Sequence, residues 1–167
     1  MQKANHLQGK WWDVVPFLVA ASVVVADQIS KAWIRAYPLE KTIFEIGFFR
    51  LVHIQNPGAS FGLFPGHSLA LIIFGFVGIT VILFYILFLR HLFPPLDNTL
   101  SKVALGLVLG GIAGNLIDRL CFGYVTDFIG VSIWPTFNIA DSGIVVGVIT
   151  LSYALLFLAT AREVRGG

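Results

Sequence analysis

Charge is what this chain has least of. Only 12% of its 167 residues are Asp, Glu, Lys or Arg, against roughly 25% in an ordinary soluble domain. A hydrophobic share of 57% and a mean hydropathy of +0.85 exclude a water-dissolved globule. Cysteine is nearly absent. The single Cys121 excludes an internal disulfide and a multi-cysteine metal site, and a lone thiol in an apolar chain reads as a small packing residue. The four histidines, His6, His53, His67 and His91, show no ligand spacing of the H-E-x-x-H kind, so no metal site is expected. A net charge of +2 is too small to point to nucleic acid.

What the chain has instead is long apolar runs. A helix needs about 20 mostly apolar residues to cross a bilayer, and four segments qualify: residues 14–34, 68–89, 99–116 and 141–161. Together they leave little chain for a separate soluble part, so residues 1–167 are expected to form one membrane domain, all-α in its spans. Residues 14–26 follow Lys3 and Lys10 and have the look of a cleaved signal peptide. They run into Asp27-Gln28-Ile29-Ser30-Lys31 without a small-residue cleavage site, which favours a retained anchor. The second run is uncharged throughout. Pro94-Pro95 follows it, and proline cannot continue the hydrogen-bond ladder.

The longest connection covers residues 36–67. Its stretch 42–56 is rich in β-branched and aromatic residues, with Glu45, Arg50, His53 and Gln55 interspersed and no helical stripe. That pattern predicts short strands, and Pro57-Gly58 then turns the chain. A small sheet on the membrane surface is expected here, its apolar residues Phe44, Phe48 and Phe49 toward lipid. Four spans place both termini on one side. Lys3, Lys10, Arg90, Lys102, Arg162 and Arg165 lie on that side, against Lys31, Arg35, Lys41, Arg50 and Arg119. This excess favours cytoplasmic termini, since basic residues in long outer loops count for less. Residues 36–67 are then extracytoplasmic, and Asp27, Asp118, Arg119, Asp127 and Asp141 gather at the outer face.

Carboxylates at membrane depth are costly to keep ionised, so each is a functional hypothesis by default. Asp127 and Asp141 stand fourteen residues apart. Two carboxyls in reach of each other share one proton. The ionised member then takes a proton from water while the protonated one polarises a carbonyl. The plainer reading makes Asp141 a helix-capping carboxylate and Asp127 a solvated loop residue. Asp141-Ser142-Gly143 also echoes the triplet of pepsin-like enzymes, but it opens a helix here. Gly106, Gly110, Gly114 and Asp118 recur every fourth position, and small residues at that interval let helices approach closely in lipid. Asn115 brings an amide to membrane depth and needs partners. Arg119 pairs with the neighbours of Asp118, snorkels to headgroups, or holds a substrate carbonyl or phosphate. Asp27 and Lys31, four apart on a helix, suit an ion pair with a structural role. Gly58-Ala59-Ser60-Phe61-Gly62 satisfies G-x-S-x-G, with His53 and His67 nearby, but that nucleophile needs an α/β sheet for which the chain has no room. A small transporter or channel is the alternative class, since it too places carboxylates in a membrane; two almost wholly apolar spans speak against it.

Asp27-Gln28-Ile29-Ser30-Lys31, Asn56-Pro57-Gly58-Ala59-Ser60-Phe61, the glycine-rich run 110–119 ending Asn115-Leu116-Ile117-Asp118-Arg119, Val125-Thr126-Asp127-Phe128 and Phe137-Asn138-Ile139-Ala140-Asp141 follow one another in order. Taken together they resemble the motif series of bacterial lipoprotein signal peptidases (signal peptidase II). The resemblance implies an aspartic endopeptidase of the bacterial inner membrane, its site toward the periplasm. Its substrate would be a diacylglyceryl-modified prolipoprotein, cut just before the lipidated cysteine. It further implies that Asp127 and Asp141 are catalytic, and that Asn56, Asn115, Arg119 and Asn138 bind substrate backbone or brace the dyad. Asp27, Lys31, Gly110 and Gly114 would be structural. Water is the nucleophile, so no cofactor is implied; membrane lipid and the prolipoprotein are the partners of an expected monomer. The thirteen residues between the aspartates make a short interval for the family, which bears on the reach of any flap over the site.

Overall fold

The computed structural model describes residues 14–58, 68–92 and 97–158. Helix α1 (Val15–Arg35) starts with Pro16 in its first turn and ends on Arg35, an asymmetry that suits the free amides at one end and the free carbonyls at the other. A hairpin follows, β1 (Thr42–Ile46) and β2 (Phe49–Asn56). Gly47 sits in its two-residue turn at φ +56°, the left-handed backbone such turns require. Helix α2 (Ser68–Phe84) carries no charge and runs on through a π turn at Tyr85–Leu89. Helix α3 (Thr99–Phe122) is capped by Asn98, whose side chain accepts from the Ser101 amide at 3.0 Å. It ends at Gly123, φ +80°, whose N–H closes on the Arg119 carbonyl, the glycine-terminated helix end. Strand β3 (Val125–Val131) and helix α4 (Ile139–Tyr153) complete the chain, with a π turn at Ala154–Leu158 after them.

Four helical stretches are long and apolar enough to cross a membrane: Val15–Arg35, Leu69–Leu89, Thr99–Phe122 and Ile139–Leu156. Helix α3 is the hub and packs most extensively on α4 and α1, while α2 touches mainly α3 and leaves most of its surface outward. The glycine ladder makes the close packing possible. A Cβ on Gly110 would come to 2.6 Å from the Ala20 carbonyl oxygen, and one on Gly114 to 2.7 Å from Asp27 Oδ2. Hence α1 and α4 rest almost backbone to backbone on α3, which is how helices associate where lipid supplies no hydrophobic drive.

The interior holds charged and polar side chains beside its apolar ones, and the exterior carries many large apolar ones. The largest fully buried side chains are Lys31, Ile34, Asn138, Thr126, Asp27, Asp118, Asp127 and Ser101, whereas Leu18, Ile29, Phe74, Val81, Phe88, Ile149 and Leu156 are exposed. Such an arrangement is costly in water and natural in a bilayer.

The strands form one antiparallel sheet in the order β1-β2-β3. The sequence announces its first two strands; the third comes from the connection between α3 and α4, which reads as a loop. Asn56 pairs with Val125 at one end and Phe49 with Val131 at the other, with a bulge between Leu51 and Ile54. After β3 the chain doubles back so that Phe137 exchanges hydrogen bonds with Ile129. This tight return brings Asn138 and the start of α4 beside Asp127, and it accounts for the short interval between the aspartates. Of the aromatics expected to face lipid, Phe44 and Phe48 are exposed, while Phe49 is half-buried and packs on Phe44. Helix α3 also runs further than hydropathy suggests: Asp118 and Arg119 lie within it because their charges are met inside the protein.

Candidate active site

Asp127 projects from β3 and is almost fully buried. Its two oxygens each receive an amide: Asn138 Nδ2 donates to Oδ1 at 2.7 Å and Asn56 Nδ2 to Oδ2 at 2.9 Å. Asp141 lies in the first turn of α4, and Asn115 Nδ2 donates to its Oδ1 at 2.8 Å. Asn138 is the N-cap of that helix. Its Oδ1 accepts from the Asp141 backbone N–H at 2.9 Å, and its own N–H donates to Asp141 Oδ2 at 3.3 Å. This is a capping box. Asn138, not Asp141, is therefore the cap residue, and Asp141 closes the box from the first turn of the helix.

Asn138 thus links the aspartates, side chain to Asp127 and backbone to Asp141. The two carboxyls sense each other. Burial, and then the nearby charge of Asp141, push the Asp127 carboxyl up to about 7, against the pull of the Asn56 and Asn138 amides and the Lys31 charge. A carboxyl that changes protonation near neutrality, beside a second carboxylate, is equipped for proton transfer.

Beneath the dyad lies a network of buried charge. Lys31 Nζ contacts Asp27 Oδ2 at 2.8 Å and Asp118 Oδ2 at 3.3 Å, all three side chains fully buried. Asp118 also meets Arg35 at 3.4 Å and accepts from the Thr126 backbone N–H at 2.9 Å. Asp27 Oδ1 accepts from the Ala140 N–H at 3.0 Å. These bonds tie α1 and α3 to β3 one residue before Asp127 and to α4 one residue before Asp141. Gln28 adds a bond to the Gly114 carbonyl at 3.1 Å and Thr126 one to Arg35 at 3.1 Å. Sequence reading did not single out Gln28 or Thr126; their adjacency to the motif aspartates Asp27 and Asp127 was the available signal.

Arg119 turns inward. Its guanidinium donates to the Gly58 carbonyl at 3.1 Å, holding the turn after Asn56 against α3 instead of reaching for headgroups. His53 is buried on β2, its Nδ1 2.8 Å from the Tyr37 carbonyl. Cys121 is exposed near the end of α3. Ser60, His6 and His67 lie outside the described residues, as does the side chain of His91.

Residues 19–157 match the model of a family described as signal peptidase (SPase) II. A lipoprotein signal peptidase from Moorella thermoacetica is 45% identical over 148 residues, covering 87% of this chain and 95% of its own. Another, from Dehalococcoides mccartyi, is 46% identical over 151 residues, covering 90% and 92%. Among solved structures, a bacterial membrane enzyme determined by the in meso method at 2.3 Å resolution superposes with a TM-score of 0.75 at 31% identity, covering 84% of this chain and 87% of that one. The chain belongs to the signal peptidase II family.

Proposed function

We propose, with membership of that family as the premise, that this protein is an intramembrane aspartic endopeptidase. It removes the signal peptide from diacylglyceryl-modified prolipoproteins, cutting before the lipidated cysteine. The observation that carries the aspartic mechanism is the bridge through Asn138: 2.7 Å from its side-chain amide to Asp127, and 3.3 Å from its backbone N–H to Asp141. Two carboxyls held by one residue keep their relative position while substrate comes and goes.

In this mechanism the dyad carries one proton. The ionised carboxylate draws a proton from water, the protonated carboxyl polarises the scissile carbonyl, and the tetrahedral intermediate collapses as the leaving amine takes a proton back. Asn56, Asn115 and Asn138 hold the carboxyls by neutral donors, which position them without fixing either one's charge. Arg119 secures the turn at Gly58 and leaves the neighbouring backbone groups to meet the substrate. The substrate arrives from lipid, its signal helix against the apolar outer surfaces of the spans, so its cleavage site reaches the dyad at the membrane edge. The termini lie in the cytoplasm and the dyad toward the periplasm of the bacterial inner membrane. A conducting role finds less support. Among the described residues, the buried charges are paired with one another around the dyad, and α2 offers no charged group to line a path.

Asp127→Asn and Asp141→Asn test the reading. Each removes a titrating group with little change of shape and is expected to lower cleavage of a diacylglyceryl-prolipoprotein by about 10²-fold or more, with membrane insertion intact. Cleavage within threefold of the parent by either variant excludes the dyad mechanism.

A further inference from the structure

Lys31 does more than neutralise Asp27. An ammonium is a donor only, and this one is fully buried away from bulk solvent. Its directions are taken by Asp27 Oδ2 at 2.8 Å, Asn115 Oδ1 at 3.0 Å and Asp118 Oδ2 at 3.3 Å. The contact with Asn115 decides the polarity of that amide. With its oxygen toward Lys31, its nitrogen faces Asp141 and donates at 2.8 Å. A flipped amide would set NH₂ against the buried ammonium and oxygen against the half-buried Asp141 carboxylate, two repulsive contacts where solvent screens little. Asn138 Nδ2 reinforces the same choice, donating to Asn115 Oδ1 at 3.1 Å. Asn138 is itself oriented by a donor-only group, the Asp141 backbone N–H.

We propose that Lys31 is a positioning residue of the dyad. Held by Asp27 and Asp118, its ammonium fixes the polarity of the Asn115 amide, so that an N–H aims Asp141 at the reacting carbonyl. This inference deepens the peptidase reading and rests on it.

Its charge also acts at a distance, favouring the ionised form of Asp127. The groups that share this field are Asp27, Lys31 and Arg35 from α1, Asp118 and Arg119 from α3, and the two dyad carboxyls on β3 and α4. From β2 come Asn56 and His53, whose ring is held at Tyr37, and Arg50, which lies over Gly130. Helix α2 brings no charge.

Lys31→Met alone leaves the buried Asp27 without its cation and Asp118 with Arg35 alone, and the protein risks not folding. The decisive variant is Asp27→Asn/Lys31→Met, which removes both charges and keeps an oxygen for the Ala140 N–H. If Lys31 serves only to balance Asp27, this pair restores the parent's kinetics. The proposal expects a folded protein whose kcat on diacylglyceryl-prolipoprotein is at least tenfold lower, with KM within threefold, because misplaced reacting groups cost turnover more than binding. It also expects the alkaline limb of the activity profile to move to higher pH, since a positive charge near Asp127 is gone. A second readout needs no substrate: the infrared band of the protonated carboxyl, assigned by its loss in Asp127→Asn, should keep its proton to higher pH in the double variant. Parent-like kcat with an unmoved limb, or an unmoved infrared midpoint, overturns the proposal. If the parent itself fails to cleave, the peptidase reading falls and the positioning role with it, whereas a cleaving parent with a parent-like double variant overturns the role of Lys31 alone.

Discussion

Asp127 is the residue on which pH acts. Its carboxyl, raised to about 7 by burial and by the charge of Asp141, is protonated below that point and ionised above it. A dyad that must hold one proton loses it as pH rises through this range, because two adjacent carboxylates cannot cheaply both ionise. Activity should therefore decline as pH rises through about 7, with a turnover profile that tracks a single deprotonation. A profile flat from pH 6 to 9 (limits chosen about the pKa) contradicts this account of the proton. The candidate pair was marked in the sequence by carboxylates set near apolar spans and, above all, by motifs that resemble the signal peptidase II series. The link between them was not. Asn138 and Asp141 are three apart, which signals a capping box, but the bond from Asn138 to Asp127 exists only because the chain doubles back at Phe137.

Among the elements, α3 depends most on its glycines. Substituting Gly110 with Leu would drive a side chain into the Ala20 backbone and Val23 of α1. The helices must part, and the Asp27–Lys31–Asp118 contacts spanning that seam part with them. Breaking one side of a buried charge pair typically costs about 3–5 kcal/mol, so Gly110→Leu should lower the detergent unfolding midpoint sharply and abolish activity. Gly123→Ala is a control at an uncrowded site, with no atom within 4 Å of an added Cβ but a left-handed φ of +80°; about 1 kcal/mol is expected there. Equal effects at the two positions would show that the close approach does not matter. The helices themselves were readable from hydropathy alone. Strand β3 was not, for two reasons. Most of its residues are buried, so the alternation that marks a half-exposed strand is missing, and its partner β2 lies about seventy residues earlier, beyond any local pattern. The same limit hid the true length of α3, since Asp118 looks like a span's end until Lys31, Arg35 and the Thr126 N–H are found around it.

For the whole molecule, the proposed orientation and the proposed substrate both rest on one arrangement. Asp127, Asp141, the buried charge network and the sheet lie together at one end of the helices, and the start of α3 at Asn98 lies at the other. In a Cys121→Ala background, Ser132→Cys, in the exposed turn after β3, should react with an impermeant thiol reagent on intact spheroplasts. Thr99→Cys, at the start of α3, should react only after the membrane is opened. The reverse pattern would invert the topology. On the proposed reading the acyl chains of the substrate are already out of water in the bilayer, so burying them again contributes little; their value lies in placing the scissile bond, where small displacements cost about 10²-fold. The most direct test of the account is therefore a mass measurement on purified protein incubated with the same prolipoprotein in two forms, with and without diacylglycerol on its cysteine. The account predicts that the lipidated form loses its signal peptide immediately before that cysteine, and that the unlipidated form is turned over far more slowly even at saturating concentration. Comparable maximal rates on the two forms, or cleavage at another bond, would contradict it.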